Sequence, residues 1–237
     1  MSNPFSDVER LAIHTVDGVG LRAELLDSGA ADGRSPRALA VLCHPHPLHG
    51  GTMHNHVISS LFSTFADAGV PTIRFNFRGT SGSEGRHGGG VEERLDVIAA
   101  IDTITARHTS RDTVQGDDPT DPAAADPTVP LLLAGYSFGA LVALSVDHPR
   151  VSGWFAVAPP LAMVDADPPF AAGDSRPTVI VSGTVDDFTP ASDVERLTEE
   201  WASTTVIPLP GEDHFLGSAS ARLRSEAEAF VEVIARY

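Results

Sequence analysis

Val129-Pro130-Leu131-Leu132-Leu133-Ala134-Gly135-Tyr136-Ser137-Phe138-Gly139-Ala140-Leu141-Val142-Ala143-Leu144 is the stretch on which the reading of the fold turns. The apolar run before Gly135 has the character of a buried strand, and the run after Gly139 that of a helix. Between them stands Gly-x-Ser-x-Gly. A serine hydroxyl attacks only when it is lifted clear of the backbone on a sharp, strained turn. Such a turn crowds the positions two before and two after the serine, so residues without a Cβ suit Gly135 and Gly139. The helix that follows aims free N–H groups at the reaction centre, where the amide of Phe138 can bind a developing oxyanion.

A lone serine is not a nucleophile at neutral pH. It needs a histidine base, itself oriented by a carboxylate. On a strand–elbow–helix scaffold these partners follow in the order Asp or Glu, then His, each just beyond a later strand. Thr178-Val179-Ile180-Val181-Ser182-Gly183 reads as such a strand, and Thr184-Val185-Asp186-Asp187-Phe188-Thr189-Pro190 as the loop leaving it. Thr204-Thr205-Val206-Ile207-Pro208-Leu209 reads as another, followed by Pro210-Gly211-Glu212-Asp213-His214-Phe215. Ser137, Asp186 and His214 therefore stand in the required order as candidate catalytic residues. Asp187 is a rival orienter, and the Gly183-x-x-Asp186 spacing favours Asp186. Asp213 is expected to be solvated, because adjacent side chains on an extended loop point apart.

With these residues the chain resembles a serine hydrolase of the α/β-hydrolase superfamily. The likeness is to small lidless members, dienelactone-hydrolase-like or esterase-like, that carry His-Pro-His-Pro after the third strand. The shared residues are His44 to Met53, Arg74-Phe75-Asn76-Phe77-Arg78-Gly79, the elbow, the Gly183-x-x-Asp186 step and Asp213-His214-Phe215. They run from about Ala38 to Leu216. The resemblance implies an α/β fold with a mostly parallel eight-stranded sheet, helices on both faces and no lid. It also implies Ser137 as nucleophile, His214 as base and Asp186 as orienter. One departure is visible: the loop after Arg78-Gly79 reads Thr80-Ser81-Gly82-Ser83, where such chains usually read Gly-x-Ser.

At 237 residues, 42% of them hydrophobic, the chain suits one domain with a sizeable core. No segment approaches the about 20 apolar residues of a membrane span, and Met1-Ser2-Asn3-Pro4-Phe5 has no basic flank or apolar stretch suggesting export. Cys43 is the only cysteine, which excludes an internal disulfide and fits a reducing cytoplasm. It lies in a strand, as a buried structural thiol would. The net charge of −16 argues against nucleic acid and anionic membrane as partners. Every basic residue is arginine, so lysine Schiff-base chemistry and a Ser-Lys dyad are excluded.

Strands and helices alternate along the chain, as in a parallel sheet covered on both faces. A hairpin is expected around Asp17-Gly18-Val19-Gly20, the third strand from Ala38 to Cys43, and a helix from Val57 to Ala68. Thr72 to Phe77 reads as a strand and Val91 to Arg107 as an amphipathic helix. A further strand is expected at Gly153 to Val157, and later helices near Ala191–Trp201 and Ala219–Ala235. His148 is expected to end the helix after the elbow, facing its negative pole. Thr109 to Thr128, rich in Asp, Pro and Ala, reads as a mobile acidic insertion. About twenty residues separate Ala158 from Thr178, too few for a helical lid.

His44, His46, His49, His54 and His56 crowd together, and His-x-His at a strand end is a possible zinc site. No H-E-x-x-H or similar string accompanies it, so no metal or organic cofactor is expected. The loop after the third strand should instead supply a second oxyanion donor through a backbone N–H. Pro45 and Pro47 have none, which leaves His46 or Leu48, with His46 favoured by analogy. His14, His87 and His108 read as surface or structural. The expected activity is hydrolysis of small carboxylic esters, short acyl groups favoured, through an acyl-enzyme. Alternatives are thioester or small-amide hydrolysis on the same residues, an idle binding protein on the same fold, and a metal-dependent hydrolase built on His44, His46 and His49. Oligomeric state is not legible.

Overall fold

Eight strands, ordered β1-β2-β4-β3-β5-β6-β7-β8, form one sheet in the computed structural model, which describes residues 8–27, 36–112, 129–163 and 168–236, without the side chains of 109–112. The strands are β1 (Val8–His14), β2 (Gly20–Leu26), β3 (Leu39–Cys43), β4 (Thr72–Phe75), β5 (Leu131–Tyr136), β6 (Val151–Val157), β7 (Thr178–Gly183) and β8 (Thr204–Leu209). β1 and β2 form the expected hairpin and join β4 antiparallel, while every pairing from β4 through β8 is parallel. Pro208 lies in β8, the edge strand, where a missing N–H costs least.

The helices α1 (His56–Asp67), α2 (Glu93–Asp112), α3 (Phe138–Leu144), α4 (Ala191–Leu197) and α5 (Ser220–Ile234) cover both faces. Alternation along β5 shows why. Leu131 and Leu133 pack into one core with Val97 and Ile101 of α2, Val142 of α3 and Val194 of α4. Leu132 and Ala134 point the other way, into a second core with Ile58 and Phe62 of α1 and Phe230 and Val231 of α5. Successive strand side chains face opposite sides, so a strand buried on both faces must be apolar throughout, as β5 is.

Several boundaries move. α2 runs to Asp112, beyond the expected end at Arg107, so the insertion does not begin at Thr109. Helix continues there because no Gly or Pro interrupts the chain, and an exposed last turn needs no apolar stripe. The remainder of the expected insertion, residues 113–128, lies outside the described residues. β5 extends through Gly135-Tyr136, and α4 stops at Leu197 rather than Trp201. His148 does not close α3, which ends at Leu144 with Ser145 as its C-cap. Its ring instead accepts the N–H of Arg150 at 3.2 Å and lies 3.7 Å from Asp102.

Between β6 and β7 the described residues form only two short 3-10 turns, Leu161–Met163 and Phe170–Gly173, and no lid. The loop after β4 is pinned by Arg78, whose guanidinium donates to Asp96 at 2.8 Å and to Asp17 at 2.9 Å. There the displaced glycine is accommodated with Ser81 at φ 39° and Gly82 at φ 88°, while Ser83 Oγ donates to Asn76 O at 2.7 Å. No helix among the described residues is long and apolar enough to cross a membrane.

Candidate active site

Three loops at the C-terminal edge of the parallel strands bring Ser137, Asp186 and His214 together. Ser137 follows β5 with φ 56° and ψ −121°, a strained backbone for a residue with a side chain. The crowding around it explains its glycines. A Cβ at Gly135 would stand 2.5 Å from Gly139 C and O, and one at Gly139 would stand 2.2 Å from Cys43 O at the end of β3. Gly183 performs the same service for the other two loops, since a Cβ there would lie 2.1 Å from Glu212 O. That approach lets Val185 N donate to Glu212 O at 3.1 Å, tying the Asp186 loop to the His214 loop.

Ser137 Oγ lies 2.9 Å from His214 Nε2, and His214 Nδ1 lies 2.8 Å from Asp186 Oδ2. Asp186 is 3% exposed, and its Oδ1 accepts from the N–H groups of Phe188 at 2.8 Å and Thr189 at 3.1 Å. Burial acts to raise its pKa, but the His214 hydrogen bond and the two backbone donors outweigh it and hold the carboxyl below its ordinary value. An ionised Asp186 keeps the proton on Nδ1, which leaves Nε2 free to accept from the serine hydroxyl. Asp187 and Asp213 are exposed, and Asp213 Oδ1 accepts from Phe215 N at 2.9 Å.

The two expected oxyanion donors lie beside the elbow. Phe138 N–H opens α3, where no carbonyl four residues back inside the helix can take it. In the loop after β3, Leu48 N–H donates to His46 Nδ1 at 3.2 Å. The rings of His46 and Phe138 are in contact at 4.9 Å. Gly51 is crowded by its own loop, since a Cβ there would meet Pro45 O at 2.0 Å.

Along nearly its whole length the chain superposes on an alpha/beta serine hydrolase homologue from Coxiella burnetii, with TM-score 0.75, 28% identity, and coverage of 97% of this chain and 98% of that one. The chain belongs to the α/β-hydrolase superfamily. This α/β-hydrolase chain also shares its fold with an a/b serine hydrolase without lid from Xanthomonas campestris, at TM-score 0.76 and 24% identity over 96% of this chain and 95% of that one. It is 32% identical over 171 residues to an uncharacterized protein of Rickettsia prowazekii, covering 70% of this chain. It spans 65% of the length of that curated relative. No family model matches it.

The histidine cluster of this α/β-hydrolase chain does not converge as a ligand set. His44 is fully buried and uses both ring nitrogens: Nε2 accepts from Phe77 N at 3.0 Å, and Nδ1 donates to Pro45 O at 2.7 Å. Burial pushes its pKa down to about 4, against the Pro45 bond. His44 thus ties the end of β3 to the chain leaving β4. His46 is also lowered, by burial first and then by the neighbouring imidazoles of His87 and His49. Among the described residues, no group of three or more His, Cys, Asp or Glu is placed to hold a metal ion. Cys43 is fully buried, and burial pushes its thiol up.

Sequence reasoning missed four contributors. Tyr136, the first variable residue of Gly-x-Ser-x-Gly, donates its O–H to His214 O at 2.9 Å and stacks on the His214 ring at 5.6 Å. Burial pushes its hydroxyl up to about 12, so it stays a donor. His56, first residue of α1, has Nε2 2.9 Å from the next carbonyl, Phe215 O. His87 lies 4.9 Å from His46 and 5.3 Å from Phe138, ring to ring, with Nδ1 2.8 Å from the buried Glu93. Glu93 also accepts from Gly88 N and Gly90 N, setting the glycine-rich loop that carries His87. The identity of the variable elbow residue is the one sequence signal that pointed to any of them. An open cavity of about 720 Å³ borders Phe138, lined also by Leu141, Val142, Leu161, Phe170 and Trp201, and by none of Ser137, Asp186 and His214.

Proposed function

We propose that this chain hydrolyses small carboxylic esters through an acyl-enzyme on Ser137. The Ser137–His214–Asp186 chain of contacts at 2.9 and 2.8 Å on a strained elbow carries the reading. Ser137 Oγ attacks the ester carbon while its proton passes to His214 Nε2. The tetrahedral oxyanion is held by the N–H groups of Phe138 and His46. When the carbon–oxygen bond to the alcohol breaks, His214 returns the proton to the departing oxygen. Water then attacks the acyl-enzyme with His214 as base, releasing the acid and restoring the serine. Asp186 holds the imidazole in the tautomer that both half-reactions use.

Short acyl groups fit this reading, because among the described residues no lid covers the elbow, and the cavity that borders Phe138 is lined by none of Ser137, Asp186 and His214. The lone buried thiol suits a reducing cytoplasm, and the charge of −16 suits a small-molecule substrate over a polyanionic partner. The test is labelling by a fluorophosphonate probe with and without chelator. The expected outcome is covalent attachment at Ser137, indifferent to chelator, and lost in Ser137→Ala with the fold retained. Ester turnover by Ser137→Ala within tenfold of wild type would sink the proposal.

A further inference from the structure

Two exposed aromatic rings flank the imidazole of His214. The Phe188 ring lies 4.4 Å from the His214 ring at 66°, and the Phe215 ring 5.9 Å from it at 82°. They come from different loops, yet Phe188 is 42% exposed and Phe215 64% exposed. Both sit on anchored backbone: Phe188 N donates to Asp186 Oδ1, Phe215 N donates to Asp213 Oδ1, and Phe215 O takes the His56 contact. Large aromatic side chains held at a site rim, neither buried nor on loose chain, are the signature of a contact surface.

The chemistry says which part of a substrate meets them. The acyl group remains on Ser137, whereas the alcohol receives its proton from His214 Nε2 and departs past that ring. A group leaving beside His214 leaves beside Phe188 and Phe215. The charges next to them are the exposed carboxylates of Asp187, one residue before Phe188, and Asp213, two residues before Phe215, which repel an anionic alcohol part. We propose that Phe188 and Phe215 form the alcohol-side binding site, and that the substrates are esters of uncharged aromatic or bulky apolar alcohols. This rests on the ester-hydrolase reading above.

The experiment varies the alcohol at constant acyl group: ethyl, 2-phenylethyl and 2-naphthylethyl acetate, whose alcohols have similar acidity, with 2-carboxyethyl acetate as the charged member. Wild type should gain about fivefold or more in kcat/KM from ethyl to 2-phenylethyl acetate. It should turn over the carboxyethyl ester more slowly than the ethyl ester. Phe188→Ala and Phe215→Ala should each flatten the alcohol series while leaving the ratio of ethyl acetate to ethyl butyrate unchanged. Phe188→Leu and Phe215→Leu, which keep apolar bulk, should lie between. A wild-type preference that survives in all four variants, or a wild type indifferent to the alcohol, overturns the assignment. A wild type that hydrolyses none of these esters and resists the fluorophosphonate probe overturns the ester-hydrolase reading instead.

Discussion

Acid should loosen this protein through His44, by an amount that the structure sets. Folded, the imidazole titrates at about 4, against 6.5 for the free side chain, because its burial outweighs the opposing bond to Pro45 O. Above pH 6.5 the ring is neutral folded and unfolded, and the shift has no effect on stability. Below it, the unfolded chain takes up a proton that the folded one refuses, so stability falls with pH until the folded pKa is reached. The full effect is about 3 kcal/mol, and about 2 kcal/mol of it is lost by pH 5. That is a large share of the roughly 5–15 kcal/mol that holds a typical domain. Urea unfolding at pH 7.5 and pH 5.0, on wild type and on His44→Gln, isolates the contribution because the other titrating groups are common to both. Wild type should lose about 2 kcal/mol more than the variant across this interval. Equal losses, or an NMR titration of His44 with a midpoint near 6.5, would refute the reasoning.

Asp186→Asn should cut turnover by about 10⁴ through the wrong imidazole tautomer, whereas Asp187→Asn should be mild; steady-state kinetics showing the reverse would make Asp187 the orienter. Gly139→Ala should destabilise by at least about 2 kcal/mol, since its Cβ would collide with the Cys43 and His44 carbonyls; an unchanged denaturation midpoint would contradict the crowding argument. Tyr136→Phe keeps the stacked ring and loses only the hydrogen bond to His214 O, so kcat should fall by about tenfold with little change in KM. In a p-nitrophenyl ester series from acetate to palmitate, each methylene should gain less than the about 0.8 kcal/mol of full burial, with no activation at an oil–water interface. A steady climb to long chains would mean that the acyl group runs past Phe138 into the cavity along α3.

The order of Ser137, Asp186 and His214 and the strand–elbow–helix around the serine were legible in the chain because they answer to local rules. A strained turn excludes Cβ atoms at Gly135 and Gly139, and a strand buried on both faces, such as β5, is apolar throughout. β7 begins and ends where its apolar run does for the same reason. The end of α2 was not legible, because an exposed last turn of polar residues carries no periodic signal. Nor were the contacts that decide the site's geometry. Asp186 and Asp187 are identical side chains one residue apart, and only the packed loop, with Phe188 N and Thr189 N donating to Asp186, turns Asp186 toward His214 and leaves Asp187 exposed. His44 and His46 stand two residues apart in one loop, yet one is sealed under Phe77 and the other borders the elbow. Tyr136, His56, Phe188 and Phe215 meet around His214 from four separate segments of chain. Composition and spacing say which residues a segment can bury or expose; which of them face one another depends on how distant segments pack.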